Sequence, residues 1–179
     1  MIPRLRTERL ILREWRAADF DTLADFYGDD ETMRFLGGAM TRGDAWRALA
    51  STIGHWTMRG YGTWAVEREA DGALMGRVGL IHPEGWPQVE CGWTLGRAYW
   101  GQGYASEAAA AALRYAFMTQ PVERMISLID PDNIASQAVA RRIGETRGER
   151  QMLHISGKDF SVDVWQITRG EWLQRISDG

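Results

Sequence analysis

The sequence predicts a mixed α/β fold, one largely antiparallel central sheet with helices on both faces, and three observations carry that expectation. Val89, Cys91, Trp93 and Leu95 alternate with Glu90, Gly92 and Thr94, the period of two of a strand. A loop with two close glycines, Gly101 and Gly103, then opens an alanine-rich helix from Ala105, and a second apolar strand, Arg124 to Ile129, follows Pro121. Strand, helix and strand make a βαβ unit, whose two strands run parallel. Turn signals at Ala70–Asp71–Gly72 and Gly157–Lys158 mark antiparallel hairpins on either side.

Taken in order, Leu10, Ile11 and Leu12 form a short first strand. Asp19 is placed to cap a helix carrying Phe20, Leu23, Ala24 and Tyr27 on one face. A second helical piece runs from Asp30 to Leu36 and stops at Gly37–Gly38. Thr41 or Asp44 opens a longer helix, closed by Gly60, with Trp46, Leu49, Ile53 and Trp56 expected to pack as one core stripe. Gly62 to Glu67 and Ala73 to His82 are the first hairpin, and Pro83 to Pro87 is a loop. After the strand from Arg124, Asp130–Pro131–Asp132–Asn133 caps a helix that ends at Gly144. Met152 to Ser156 and Phe160 to Ile167 form the last hairpin, and a helix from Glu171 to Ile176 closes the chain. With no repeats or linkers, residues 1–179 read as one domain.

The 179 residues, 45% hydrophobic and 25% charged, are enough for a full core. A net charge of −3 offers no basic face for nucleic acid. No apolar run approaches a membrane span, and Met1 to Arg9 carries no apolar signal segment. A single cysteine excludes an intrachain disulfide and fits a reducing compartment, so a cytoplasmic location is expected. Most of the nine tryptophans are expected in the core. His55, His82 and His154 have no metal-ligand spacing, so no metal is expected, and no nucleophile elbow appears.

The glycine loop is the functional signal. Helix N-terminal N–H groups lack intrahelical partners, and glycines let a ligand approach them, so the junction suits a phosphate. It lacks the Lys-Ser/Thr of a P-loop and the third glycine of a dinucleotide fingerprint. On spacing alone, a tight turn without a ligand is equally open. The wider stretch is more specific. Gly92–Trp93–Thr94–Leu95, Tyr99 to Ala108, Asn133–Ile134–Ala135–Ser136 followed by Gly144, and the opening Thr7–Glu8–Arg9–Leu10–Ile11–Leu12–Arg13 resemble the GNAT superfamily of N-acetyltransferases, in its RimJ/RimL-like branch.

The resemblance covers most of the chain. It implies a GNAT-like sheet whose parallel pair splays, acetyl-CoA as co-substrate, and direct acetyl transfer to a primary amine. It places pantetheine beside the backbone of Trp93, Thr94 and Leu95, and the pyrophosphate on the amides of Gly101, Gln102, Gly103, Tyr104, Ala105 and Ser106. Trp100 stands where the broad superfamily has Arg or Gln, and tryptophan there is common in this branch. Asn133 and Ser136 match the family's Asn-x-x-Ser motif. The tyrosine that many members use as an acid is Ala140 here, and the usual Gly-Phe is Gly144–Glu145.

Direct transfer asks for a base, because a lysine amine with pKa about 10.4 is mostly charged at neutral pH. It also asks for a donor to the oxyanion, such as a backbone N–H near Trp93 or Thr94, and a hydrogen bond for the departing thiolate. Glu90, just ahead of the acyl site, is the candidate base; its other reading is a solvated strand residue. Ser136 is the candidate for contacting the sulfur; its other reading is a first-turn cap. The helix from Thr41 to Arg59 and the Trp86 loop are expected to wall the acceptor cleft. The expected acceptor is a protein N-terminal α-amine or a small amine. Lysine acetylation, a CoA-binding regulatory module without catalysis, and an unrelated structural domain are the alternatives. A monomer or homodimer is expected.

Overall fold

The computed structural model describes residues 1–155 and 157–178. Among these, eight strands alternate with helical segments: β1 (Leu5–Arg6), β2 (Leu10–Arg13), β3 (Thr63–Arg68), β4 (Leu74–Ile81), β5 (Glu90–Leu95), β6 (Arg124–Ile129), β7 (Thr146–Ile155) and β8 (Lys158–Thr168). They form one sheet in the order β1-β2-β3-β4-β5-β6-β8-β7. The β5–β6 pair is parallel, as the βαβ unit requires, and the other neighbours are antiparallel.

Strand alternation divides the core between the two faces. Trp64 and Val66 of β3 pack with Ala108, Ala109 and Ala112 of α4 (Tyr104–Thr119). Ala65, between them, packs with Leu23 and Tyr27 of α1 (Phe20–Tyr27) and Leu49 of α3 (Arg42–Arg59). The alanine row explains how α4 lies close to the sheet, since methyl groups hold the helix off very little. Between α1 and α3 comes the short α2 (Asp30–Met33); after β6 comes α5 (Ile134–Ile143), and α6 (Arg169–Ser177) ends the fold. Trp172 of α6 packs on Phe117 of α4, with ring centroids 5.4 Å apart. Five tryptophans, Trp15, Trp56, Trp64, Trp165 and Trp172, are buried. Trp15 and Trp56 both donate their indole N–H to the Thr63 carbonyl, at 3.1 and 3.0 Å, which satisfies two polar groups inside the core.

Several expectations are corrected. Trp46 and Ile53 are 59% and 44% exposed, and the buried line of α3 is Ala45, Leu49 and Trp56. The helix is rotated so that the small Ala45, fully buried, takes the close contact. Asp19 precedes α1 but makes no side-chain cap. Its two oxygens accept from the Arg13 guanidinium at 2.8 Å each, because a buried arginine requires a counter-charge. The second helical piece stops at Met33, β1 precedes the expected first strand, and α6 begins at Arg169, where Thr168 and Glu171 form a capping box. Ser156, the expected end of a hairpin strand, lies outside the described residues. Among those residues no helix is long and apolar enough to cross a membrane.

Gly79 of β4 pairs with Thr63 at the start of β3 and leaves no room for a side chain. Its φ is +155°, and a Cβ there would lie 2.5 Å from the Gly62 carbonyl oxygen. Gly79→Ala is expected to cost about 2 kcal/mol or more, the range for overpacking plus backbone strain. Urea denaturation measures it, and an unchanged midpoint would mean that β3 moves aside freely.

Candidate active site

The site is built where the parallel pair stops pairing. Among the described residues, β5 and β6 register only at Glu90 and Ile126, where the Ile126 N–H donates to the Val89 carbonyl at 3.2 Å. A continuing parallel ladder would next join the Leu128 N–H to the Cys91 carbonyl. Side chains take both groups instead. The Leu128 N–H donates to Glu90 Oε1 at 3.4 Å, and the Cys91 carbonyl accepts from Ser127 Oγ at 2.8 Å. Beyond this vertex the two strands diverge with their facing backbone groups released from each other.

Alternation along β5 decides which groups face the opening. The carbonyls of Val89 and Cys91 point toward β6, so those of Trp93 and Leu95 do too. The Leu95 carbonyl accepts from the Trp100 indole at 2.7 Å. Thr94 faces the other way: a Cβ on Gly76 of β4 would meet its carbonyl oxygen at 2.1 Å. The Thr94 hydroxyl is buried without a partner among the described residues.

Glu90 sits at the vertex, 7% exposed. That burial removes its reading as a solvated strand residue. Its Oε2 accepts from the Trp86 indole at 2.6 Å, which ties the Pro83–Pro87 loop to the strand. Burial pushes the carboxyl up to about 7, against the hydrogen bonds from Trp86 and Leu128 and the charge of Arg77. A carboxylate held near neutrality is suited to taking a proton at physiological pH. The neighbouring Cys91 thiol is buried and pushed well above its usual range, first by burial and then by Glu145 and Glu90. A buried thiol that keeps its proton is a poor nucleophile.

The glycine loop presents an open helix end. Gly103 is the N-cap of α4 with φ +82°, and no side chain caps the helix. Gly101, at φ +72°, has nothing within 4 Å of where a Cβ would stand. Ser106, in the first turn, has a buried hydroxyl without a partner among the described residues. Free amides, an orphan hydroxyl and exposed glycines together fit a pyrophosphate. The loop is anchored from a distance. Glu107 accepts from the Thr7 hydroxyl at 2.6 Å and from the Arg9 backbone and guanidinium at 2.8 and 2.7 Å. Arg9 in turn donates to the Gln102 carbonyl at 3.0 Å and lies over the Tyr104 ring. Burial alone would raise the Glu107 carboxyl, but these hydrogen bonds hold it below its usual value.

Across the opening, Asn133 is the N-cap of α5, its side chain accepting from the Ser136 N–H at 3.0 Å. The Ser136 hydroxyl is therefore not the cap. It accepts from the Trp93 indole at 3.2 Å, which leaves its own proton to be donated elsewhere. Ala140 is fully buried beside Ile129 and Trp165. Among the described residues no cluster of His, Cys, Asp and Glu could hold a metal.

The fold thus brings Trp93 of β5 to Ser136 of α5, sets Glu90 at the vertex of the parallel pair, and places the glycine loop after the end of β5. Sequence reasoning missed Ser127 and Glu145 at the vertex and the anchoring by Thr7, Arg9 and Glu107. The second of these left a trace, since Thr7 to Arg13 carried the family resemblance without a stated role. On the far side of the vertex, a groove of about 340 Å³ runs between Pro87 and Gln88, Ile126 of β6, and Gly148 and Val164.

Comparison with known proteins bears on the family and the fold. The family model described as an acetyltransferase (GNAT) domain matches residues 9–146. The uncharacterized protein YkkB of Bacillus subtilis is 34% identical over 149 residues, 79% of this chain and 84% of that one. The crystal structure of an acetyltransferase from Agrobacterium tumefaciens has a TM-score of 0.82 at 32% identity, covering 93% of this chain and 95% of that one. RimL, a ribosomal L7/L12 α-N-protein acetyltransferase in complex with coenzyme A, has a TM-score of 0.74 at 18% identity, a likeness of fold that covers 93% of this chain and 98% of that one.

Proposed function

We propose, because this chain belongs to the GNAT acetyltransferase family, that it transfers the acetyl group of acetyl-CoA directly to a primary amine, an α-amine or a small amine, at the β5–β6 vertex. The observation that carries this reading is that β5, whose pairing with β6 among the described residues registers only at Glu90 and Ile126, joins a buried carboxyl raised to about 7 at one end to an uncapped helix end beyond the other. Thr7 to Arg13 and Trp100 support a place in the RimJ/RimL-like branch. The single buried cysteine suits a reducing compartment such as the cytoplasm.

In this reading the amides from Gly101 to Ser106 hold the pyrophosphate, with Asn133 shaping the facing helix end. Trp93 and Leu95 present backbone groups to the pantetheine arm, whose thioester supplies the activated acetyl group. Thr94 contributes a hydroxyl from the adjoining face, and Trp100 shields the end of the strand. The acceptor enters beside the Trp86 loop, which the C-terminal half of α3 buttresses. There His55 Nε2 accepts from the His82 N–H at 2.9 Å and Arg59 pairs with Glu84 at 3.8 Å. Glu90 takes the proton of the incoming ammonium. The Trp93 N–H meets charge developing on the thioester oxygen. The free proton of Ser136 meets the departing sulfur. With an α-amine the task of Glu90 is light, because its pKa is about 8 against about 10.4 for lysine.

The reading predicts acceptor selectivity. A short peptide with a free N-terminus is compared, at pH 7, with the same peptide blocked there and bearing a lysine. CoA thiol release is expected to be at least about tenfold faster with the free N-terminus, from the larger neutral fraction of an α-amine. Faster release with the lysine peptide would favour lysine acetylation. Acetyl-CoA binding without release on any amine would favour a regulatory module.

A further inference from the structure

The vertex contains a second carboxyl that the transfer reaction does not use. Glu145, just after α5, is 3% exposed, and its Oε1 lies 2.9 Å from Ser127 Oγ. Ser127 Oγ also lies 2.8 Å from the Cys91 carbonyl. A serine hydroxyl has one proton, and neither a carbonyl nor a carboxylate can donate. Both contacts are hydrogen bonds only if Ser127 donates to Cys91 and Glu145, still protonated, donates to Ser127. If Glu145 ionises, its two oxygens become acceptors, and the Ser127 proton is drawn to the charge. The Cys91 carbonyl is then a buried acceptor with no donor, at the point where β5 leaves β6.

We infer that Glu145 is a positioning residue that keeps its proton at neutral pH and, through Ser127, holds the Cys91 carbonyl so that the β5–β6 opening keeps the shape acetyl-CoA binds. This rests on the reading of the opening as the acyl-CoA site. Among the described residues no positive charge is set against Glu145, and only a hydrogen bond donated by Ser127 would favour its charged form. The Glu90 carboxyl and the Cys91 thiol of β5 are near enough to interact with its charge, and β6 offers the neutral Ser127. From β8 comes Trp165, the cross-strand neighbour of Ser127. The guanidinium of Arg141 on α5 lies over the Trp165 ring, and that of Arg175 on α6 donates to the Arg142 carbonyl at 3.1 Å. Burial pushes Glu145 up to about 8, reinforced by the charge of Glu90 and opposed by the bond that Ser127 would donate to the ionised carboxylate.

The sign of the pH effect follows. Folded, the carboxyl holds its proton to a higher pH than in the unfolded chain, so stability and the cap are full at low pH and are lost as pH rises through about 8. Two measurements test the inference. In the infrared difference between wild type and Glu145→Gln at pH 6, a protonated-carboxyl band is expected, giving way to a carboxylate band near pH 8. A carboxylate band already present at pH 6 would overturn it. By calorimetry, acetyl-CoA affinity of the wild type is expected to fall about tenfold between pH 6 and pH 9, as one capped carbonyl is lost. Glu145→Gln, whose amide N–H donates to Ser127 at every pH, is expected to show a flat profile, and Ser127→Ala to bind weakly and flatly. A Glu145→Gln profile as steep as the wild type's would overturn the positioning role. If the wild type bound no acetyl-CoA at any pH, the acyl-CoA reading would fall, and the infrared result would still decide whether Glu145 is protonated.

Discussion

Gly103→Asp is expected to weaken acetyl-CoA binding by about a hundredfold or more, about 3 kcal/mol, while the protein stays folded. The new side chain stands at the N-cap of α4, where the free amides await an anion, and its carboxylate can take them itself. It also adds a negative charge where a pyrophosphate would sit. The fold tolerates the change for two reasons. Aspartate is among the residues that accept the left-handed conformation Gly103 adopts at φ +82°, and a Cβ there meets only the Arg9 guanidinium, at 3.4 Å. Calorimetry gives the affinity and thermal denaturation the stability. Undiminished affinity in a folded mutant would remove the loop as the phosphate site, and with it the arrangement on which the proposed function rests.

Glu90→Gln is expected to lower turnover by about a hundredfold or more, the usual loss for a general base, with acetyl-CoA affinity little changed. In the wild type, kcat should rise with pH through about 7 as the buried carboxyl loses its proton. The mutant should lack that limb and recover part of its rate at high pH, where the acceptor is already neutral. Glutamine has one oxygen for two donors, Trp86 at 2.6 Å and Leu128 at 3.4 Å, so the longer bond is the one sacrificed. A purely structural role would therefore show as lowered stability with turnover following it in proportion. Wild-type turnover across pH would move the proton to an ordered water or another group.

Much of the architecture was legible because its signals are local. Alternation from Val89 to Leu95, the Thr41 cap and the glycines at 60 and 144 each act over a few residues, and the corresponding elements lie where expected. The stripe of α3 was misread because a helix with apolar residues at both 45 and 46 can bury either, and only the neighbouring α1 chooses. Asp19 has the chemistry of a cap, but Arg13, six residues away, outcompetes the helix for its carboxylate. Glu145 showed in the sequence only as a departure from a family pattern.

Local sequence patterns were enough for most of the strands and helices in order, the parallel pair, the glycine loop and the family. Each rests on hydrogen bonding or periodicity within a short span, or on motifs whose order in the chain is preserved. Tertiary structure alone decided what the vertex is. Trp86, Glu90, Cys91, Ser127, Leu128 and Glu145 meet there from three separated stretches, and their environment sets their chemistry. The carboxyl of Glu90 is raised to about 7 and that of Glu145 to about 8, because burial outweighs the few donors each one meets. The cost of holding a charge depends on the surrounding dielectric and on partners brought from far along the chain, which no local pattern encodes.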